Sequence, residues 1–103
     1  LIVAGADVNA VNDKGITLLH ILADPAGVAP LIAAGAEIEA RDARGRTPLL
    51  AAAEEHDRAD MIWALLDAGA DPTAQDQDGR TALDYAQTRG DLDVVEILKA
   101  AMP

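Results

Sequence analysis

The sequence predicts an all-α solenoid of stacked helix-turn-helix units joined by β-turn fingers. Three observations carry that reading. The segment Gly5-Ala6-Asp7-Val8-Asn9-Ala10 returns as Gly35-Ala36-Glu37-Ile38-Glu39-Ala40 and again as Gly69-Ala70-Asp71-Pro72-Thr73-Ala74. A second signature, Lys14-Gly15-Ile16-Thr17-Leu18-Leu19, returns as Arg44-Gly45-Arg46-Thr47-Pro48-Leu49 and Asp78-Gly79-Arg80-Thr81-Ala82-Leu83. Both landmarks recur after the same 30 and then 34 residues, so two independent markers keep one register. The third observation is the kind of core available. Half the 103 residues are apolar, yet there is no Phe, one Trp and one Tyr. Small side chains let helix backbones approach closely, which suits helix-on-helix layers better than a sheet sandwich.

Each unit is justified element by element. Asn12-Asp13-Lys14-Gly15, Asp42-Ala43-Arg44-Gly45 and Asp76-Gln77-Asp78-Gly79 are turn sequences: the first side chain bonds the backbone locally, and the Gly accepts a left-handed conformation. Thr17, Thr47 and Thr81 follow as N-caps, and Pro48 fills a first helical position where its missing N–H costs nothing. First helices are expected over 17–23, 47–55 and 81–88. Their inward stripes are Leu19/Leu22, Leu49/Ala52/Ala53 and Leu83/Ala86. Second helices are expected over 28–34, 58–68 and 92–101. Their apolar faces are Leu31/Ile32, Met61/Ile62/Leu65/Leu66 and Leu92/Val95/Ile97/Leu98. Gly5, Gly35 and Gly69 end second helices as C′ residues. Asp24-Pro25 and Pro30 keep the second helix of the short first copy from starting before about residue 26.

A period near 33 with Gly-x-Thr-Pro-Leu early and Leu-Leu-x-x-Gly-Ala-Asp late resembles the ankyrin repeat. The middle copy carries the resemblance best, through Asp42, Gly45, Thr47-Pro48-Leu49 and Leu65-Leu66-Asp67-Ala68-Gly69-Ala70-Asp71. The chain then divides as one domain, 1–103: a remnant of a preceding repeat (1–10), a shortened repeat (11–40), a repeat (41–74) and a C-terminal capping repeat (75–103). This gives three full or near-full copies plus an N-terminal half repeat. The remnant leaves Leu1, Ile2 and Val3 without a first helix to cover them, so upstream sequence or a partner is expected there.

Charge and composition exclude several classes. Eight Lys and Arg stand against 18 Asp and Glu, a formal charge of -10. Such a surface repels phosphate backbones and anionic membranes, so no nucleic acid and no membrane partner is expected. A basic protein partner remains open, as does plain solubility. Cys is absent, which removes disulfides, thiol nucleophiles and thiolate metal sites. That absence favours a reducing, cytoplasmic setting. No apolar run reaches a spanning length, and no leader or initiator Met is present, so the chain reads as a piece of something longer, a monomer or part of a larger chain.

Candidate chemistry is sparse. There is no Ser, no phosphate-binding loop and no metal set, so no catalytic residue, cofactor or enzyme activity is expected. His20 occupies the Thr-x-x-His place, where the resemblance implies a structural hydrogen bond. His56 reads as a solvated turn residue. Glu54, Glu55, His56 and Asp57 are chain neighbours, which point about 100° apart on a helix, whereas ligand pairs there usually need i, i+3 or i, i+4 spacing. Asp76-Gln77-Asp78-Gly79 lacks the third acid and the closing Glu of a calcium loop, where Tyr85 stands instead. Trp63 takes an outward place on its helix, as packing against a neighbouring helix or as a contact anchor.

The resemblance also implies where partners meet such arrays: the turn tips and the exposed side of the first helices. Here that row holds Lys14, Ile16, Arg44, Arg46, Glu54, Glu55, Arg80 and Arg89, with Trp63 as a further candidate. Lys14, Arg44, Arg46, Arg80 and Arg89 are five of the eight basic residues, and their grouping suggests a basic stripe facing acidic groups on a partner. The expected function is a protein-protein interaction module. The alternative is a dedicated inhibitor or immunity-type protein that caps an enzyme.

Overall fold

A computed structural model describes residues 8–55 and 58–102. Leu1, Ile2 and Val3 of the expected remnant, and His56 and Asp57, lie outside the described residues. The turns form as the residue pattern requires. The Asn12 side-chain oxygen accepts from the Lys14 and Ile16 N–H groups at 2.8 and 3.0 Å. Asp42 accepts from Arg44 and Arg46, both at 2.9 Å, and Asp76 from Asp78 and Arg80 at 2.9 and 3.0 Å. Each turn thus folds over one acceptor that stands three residues before its glycine.

From each turn the chain enters a capped helix. Thr17, Thr47 and Thr81 accept from the N–H groups of His20, Leu50 and Asp84 at 3.4, 3.3 and 3.2 Å. The helices are α1 (Leu18–Ile21), α2 (Val28–Ala33), α3 (Pro48–Ala53), α4 (Ala59–Asp67), α5 (Ala82–Arg89) and α6 (Leu92–Ala101). No strand occurs among the described residues. The first helices α1, α3 and α5 pack in sequence as an inner layer, and α2, α4 and α6 pack behind them as an outer layer. The result is a short rod, 40 × 26 × 24 Å.

The core lies between the layers. Leu49, Leu50, Ile62, Leu65, Ala82, Val94 and Leu98 are all essentially inaccessible. Two expectations change. Leu92 was assigned to the apolar face of α6 but is 73% exposed, and Val94 packs inward instead. At 100° per residue, Leu92 falls off the stripe of Val94, Val95 and Leu98. The inner layer also differs in length. The first copy's helix was expected over 17–23, but α1 holds four residues, against six in α3 and eight in α5. Leu22 already leaves the helical region, and Asp24 is extended (φ -104°, ψ 116°). Pro25 imposes that, because its ring clashes with a helical residue before it. Asp24 then caps a 3₁₀ turn, Pro25–Gly27, accepting from Ala26 N–H at 2.9 Å. Pro30 sits in the first turn of α2, where it removes no helical bond.

The second helices α2 and α4 end on a paired capping motif. Gly69 lies at φ 104°, its N–H bonds Leu66 O, and Ala70 N–H bonds Leu65 O, both at 3.0 Å. Gly35 repeats this arrangement. A Cβ on Gly69 would meet nothing within 4 Å, so Gly69→Ala should cost only backbone strain, about 1–2 kcal/mol. Gly45 (φ 75°) differs, because its Cβ would come within 2.9 Å of the Gln77 amide in the next turn. Gly45→Ala should therefore lower the urea midpoint more than Gly69→Ala. Equal losses would show that the turns are not held in close contact.

Candidate partner-binding face

The three turns stack into a continuous edge. Ala43 N–H bonds Lys14 O at 2.8 Å, and Gln77 N–H bonds Arg44 O at 3.2 Å, so each tip is tied to the one before it. Gln77 adds a side-chain bond to Ala43 O at 2.8 Å. Behind the tips, His20 links two copies. Its Nδ1 accepts from Thr17 N–H at 3.2 Å, which leaves the proton on Nε2, and Nε2 donates to Arg46 O at 2.8 Å. The expected structural role of His20 is therefore the observed one.

The candidate residues separate into groups. Lys14 and Arg80 are exposed at the tips with no ion pair among the described residues. Ile16 is half-buried and lines the notch between α1 and α3. Arg44 is exposed and pairs with Glu54 at 2.9 Å. Arg46 is mostly covered: it pairs with Asp42 at 2.7 Å and also with Glu54. Glu55 is exposed and pairs with Arg58 at 3.0 Å. Arg89 stands away from the row. It closes α5, donates to Ala53 O and pairs with Asp91 at 3.3 Å, so its charge serves the joint between copies. Trp63 stands on the outer layer, beside Glu96, Ile97 and Ala100 of α6. The middle of the expected basic stripe is thus a mixed cluster, Arg44-Glu54-Arg46-Asp42, and the unpaired cations are at the tips.

Several stitching residues went unnoticed in the sequence. Asn9 Oδ1 accepts from Glu37 N–H at 2.7 Å, and Glu39 accepts from Asp71 N–H at 2.7 Å, one register later. That shared register was the available signal. Arg41 donates to Gly45 O and Gln75 O, and Arg58 donates to Leu22 O at 3.2 Å. Between α1 and α3 a polar notch of about 290 Å³ opens, lined in part by Ile16, His20, Arg46 and Arg58. A larger apolar cleft of about 590 Å³ is lined by Leu18, Leu31 and other first-copy residues alone, on a flank that stacking units bury in one another. No group of acidic residues and histidines suited to a metal occurs among the described residues. No helix of the described residues is long and apolar enough to cross a membrane.

The electrostatics favour ionised turn carboxylates. Burial pushes the Asp42 carboxyl up, but the bonds from Arg46 and Arg44 outweigh it and hold it below the ordinary 3.8. Asp76 is also held below 3.8: burial opposes ionisation, and the Tyr85 hydroxyl with the Arg80 and Asp78 amides overcomes it. Tyr85 is pushed up in turn by burial and by Asp76.

The fold and this edge define a solenoid of paired-helix units with tied β-turn fingers. The model for ankyrin repeats (3 copies) matches residues 1–76 and 24–102, and the chain belongs to the ankyrin-repeat family. It is 44% identical over 64 residues to human (Homo sapiens) ankyrin repeat domain-containing protein 63, covering 59% of this chain and 17% of that protein. It is 33% identical over 87 residues to mouse (Mus musculus) NF-kappa-B inhibitor delta, covering 79% of this chain and 26% of that protein. It is 36% identical over 96 residues to the mouse (Mus musculus) B-cell lymphoma 3 protein homolog, covering 89% and 21%. The chain spans about a quarter or less of the length of these relatives.

Carboxylates with lowered native pKa values stabilise the fold above their unfolded value, and that stability is lost as pH falls through the native one. The urea midpoint should stay level from neutral pH to about 5 and fall below about 4, where Asp42 and Asp76 protonate. Asp42→Asn keeps an acceptor for the turn, as Asn12 does in the first copy, but loses the Arg46 pair. It should cost about 1 kcal/mol at pH 7 and flatten the acid limb. An unchanged limb in Asp42→Asn/Asp76→Asn would place the acid sensitivity elsewhere.

Proposed function

We propose that this array is a protein-interaction module whose partner meets the turn tips and the exposed side of α1, α3 and α5. One observation supports this above the rest: the tips are exposed and charged, yet their backbones are bonded to one another. A row fixed before contact loses little conformational freedom on binding, so the gains from its contacts are kept. Loops held on a rigid scaffold are where binding residues concentrate. Lys14, Arg44 and Arg80 supply the accessible positive charge, and the complementary surface is one presenting carboxylates. Arg46 and Arg89 hold the scaffold that carries the row.

The inhibitor reading also has support, because one relative is named an NF-kappa-B inhibitor. A capping inhibitor would use the same row. Quantitative pull-down with the wild-type chain and with Lys14→Glu/Arg44→Glu/Arg80→Glu tests the contact. Capture of a specific partner should fall roughly tenfold in the triple variant, with an unchanged circular dichroism spectrum. Undiminished capture would show that the tips are not the contact. Loss of the captured protein's enzymatic activity on binding would favour the inhibitor.

A further inference from the structure

Trp63 is 62% exposed on the outer layer, on the face opposite the turn row, and the turn-tip reading does not use it. The repeat supplies an internal comparison. The same register holds Ala29 in α2 and Glu96 in α6, so the architecture does not demand an aromatic there. An indole left in water at an undemanding position favours contact with something else. Beside it lies an open apolar trough of about 390 Å³ between α4 and α6, lined by Trp63, Glu96, Ile97 and Ala100.

Glu96 lines the trough, and three more carboxylates stand near it along α4 and α6, Asp67 of these on the side toward α2. Asp60 and Asp67 stand three residues before and four after Trp63, on its own face of α4. Asp93 stands one turn before Glu96 on α6. All four are exposed, and none forms an ion pair among the described residues. On the turn face, by contrast, Asp42 and Glu54 are paired with Arg.

We propose that the trough between α4 and α6 is a second docking surface, which takes a cationic amphipathic segment of another protein. A large apolar side chain would lie on Trp63 and Ile97, and flanking Lys or Arg would meet the four carboxylates. The indole face adds attraction for those same cations. Charge also separates this occupant from a second copy of the chain: at -10, two such faces repel. This surface stands independently of the turn-tip reading, and the substitutions that probe it lie on α4 and α6.

Trp63 is the only Trp in the chain, so its emission reports the site directly. The probe is a short fluorescein-labelled Lys/Leu/Ala helical peptide with its leucines in one stripe, set against a scrambled peptide of identical composition. The striped peptide should bind with a blue shift of Trp63 emission and protect it from acrylamide, and the scrambled one should bind several-fold more weakly. Trp63→Ala should weaken binding about tenfold by anisotropy, and Asp67→Asn/Asp93→Asn/Glu96→Gln by a similar factor. Asp13→Asn/Glu37→Gln/Asp78→Asn, which removes equal charge elsewhere, should change it less than about threefold. Equal losses from the two triple variants would overturn the proposal, leaving only attraction by net charge. Full affinity in Trp63→Ala, or no protection of the wild-type indole at millimolar peptide, would overturn it as well. A blue shift that grows with protein concentration alone would give the trough to a second copy. The acrylamide arm uses the unaltered chain, so it stands even where a variant fails to fold.

Discussion

Leu49, Leu50, Ile62 and Leu65 have almost no contact with water, and none owes that to its own repeat alone. The second copy is covered on one side by α1 and α2 and on the other by α5 and α6. Two helices of six and nine residues have too little apolar surface to bury by themselves. Every other feature serves the contact between copies. The Thr caps and left-handed glycines set where each helix begins and ends, and so bring the next apolar stripe to the right height. His20, Arg41, Arg58, Glu39 and Asn9 then satisfy backbone groups across the joints, Arg41 through Gln75 O. A buried polar group left unpaired there would cost more than these bonds contribute when made.

This division of labour explains the electrostatics. A chain with 18 acids and eight bases has few cations to place. Five of its arginines, Arg41, Arg44, Arg46, Arg58 and Arg89, bond to carbonyls or carboxylates. Lys14 and Arg80 are left at the tips. Four exposed acids with no ion pair among the described residues, Asp60, Asp67, Asp93 and Glu96, stand on the outer helices. The two faces of the rod therefore differ in character: a mixed and largely paired inner edge, and an outer face of bare carboxylates around one indole.

Much of the fold was legible because turn chemistry and capping are local. Thr17, Thr47, Thr81, Pro48, Gly35 and Gly69 each play the part their position announced, and α6 has the expected limits of 92 and 101. The shortening of α1 was only half legible. The short spacing of 30 residues and Asp24-Pro25 were visible, but not the early exit of the chain at Leu22. The site was less legible still. Counting basic residues on turns cannot reveal that Arg46 lies against Asp42 and Glu54, since those neighbours come from the turn's own fold and the far end of α3. Arg89 misleads for the same reason: its partner Ala53 O is 36 residues away in the chain. The outward place that the sequence gives Trp63 is the one it takes, 62% exposed.

The inner layer lengthens along the chain, from four residues in α1 to six in α3 and eight in α5. At about 1.5 Å per residue, each helix is roughly 3 Å longer than the last. A perfectly periodic wall offers a ligand several equivalent seats, one per repeat, and cannot tell it which to take. A ramp removes that degeneracy. A surface that matches the wall in one register finds it too high or too low after sliding by one unit, and it cannot be turned end for end. The unequal first helices thus give a repetitive molecule a direction.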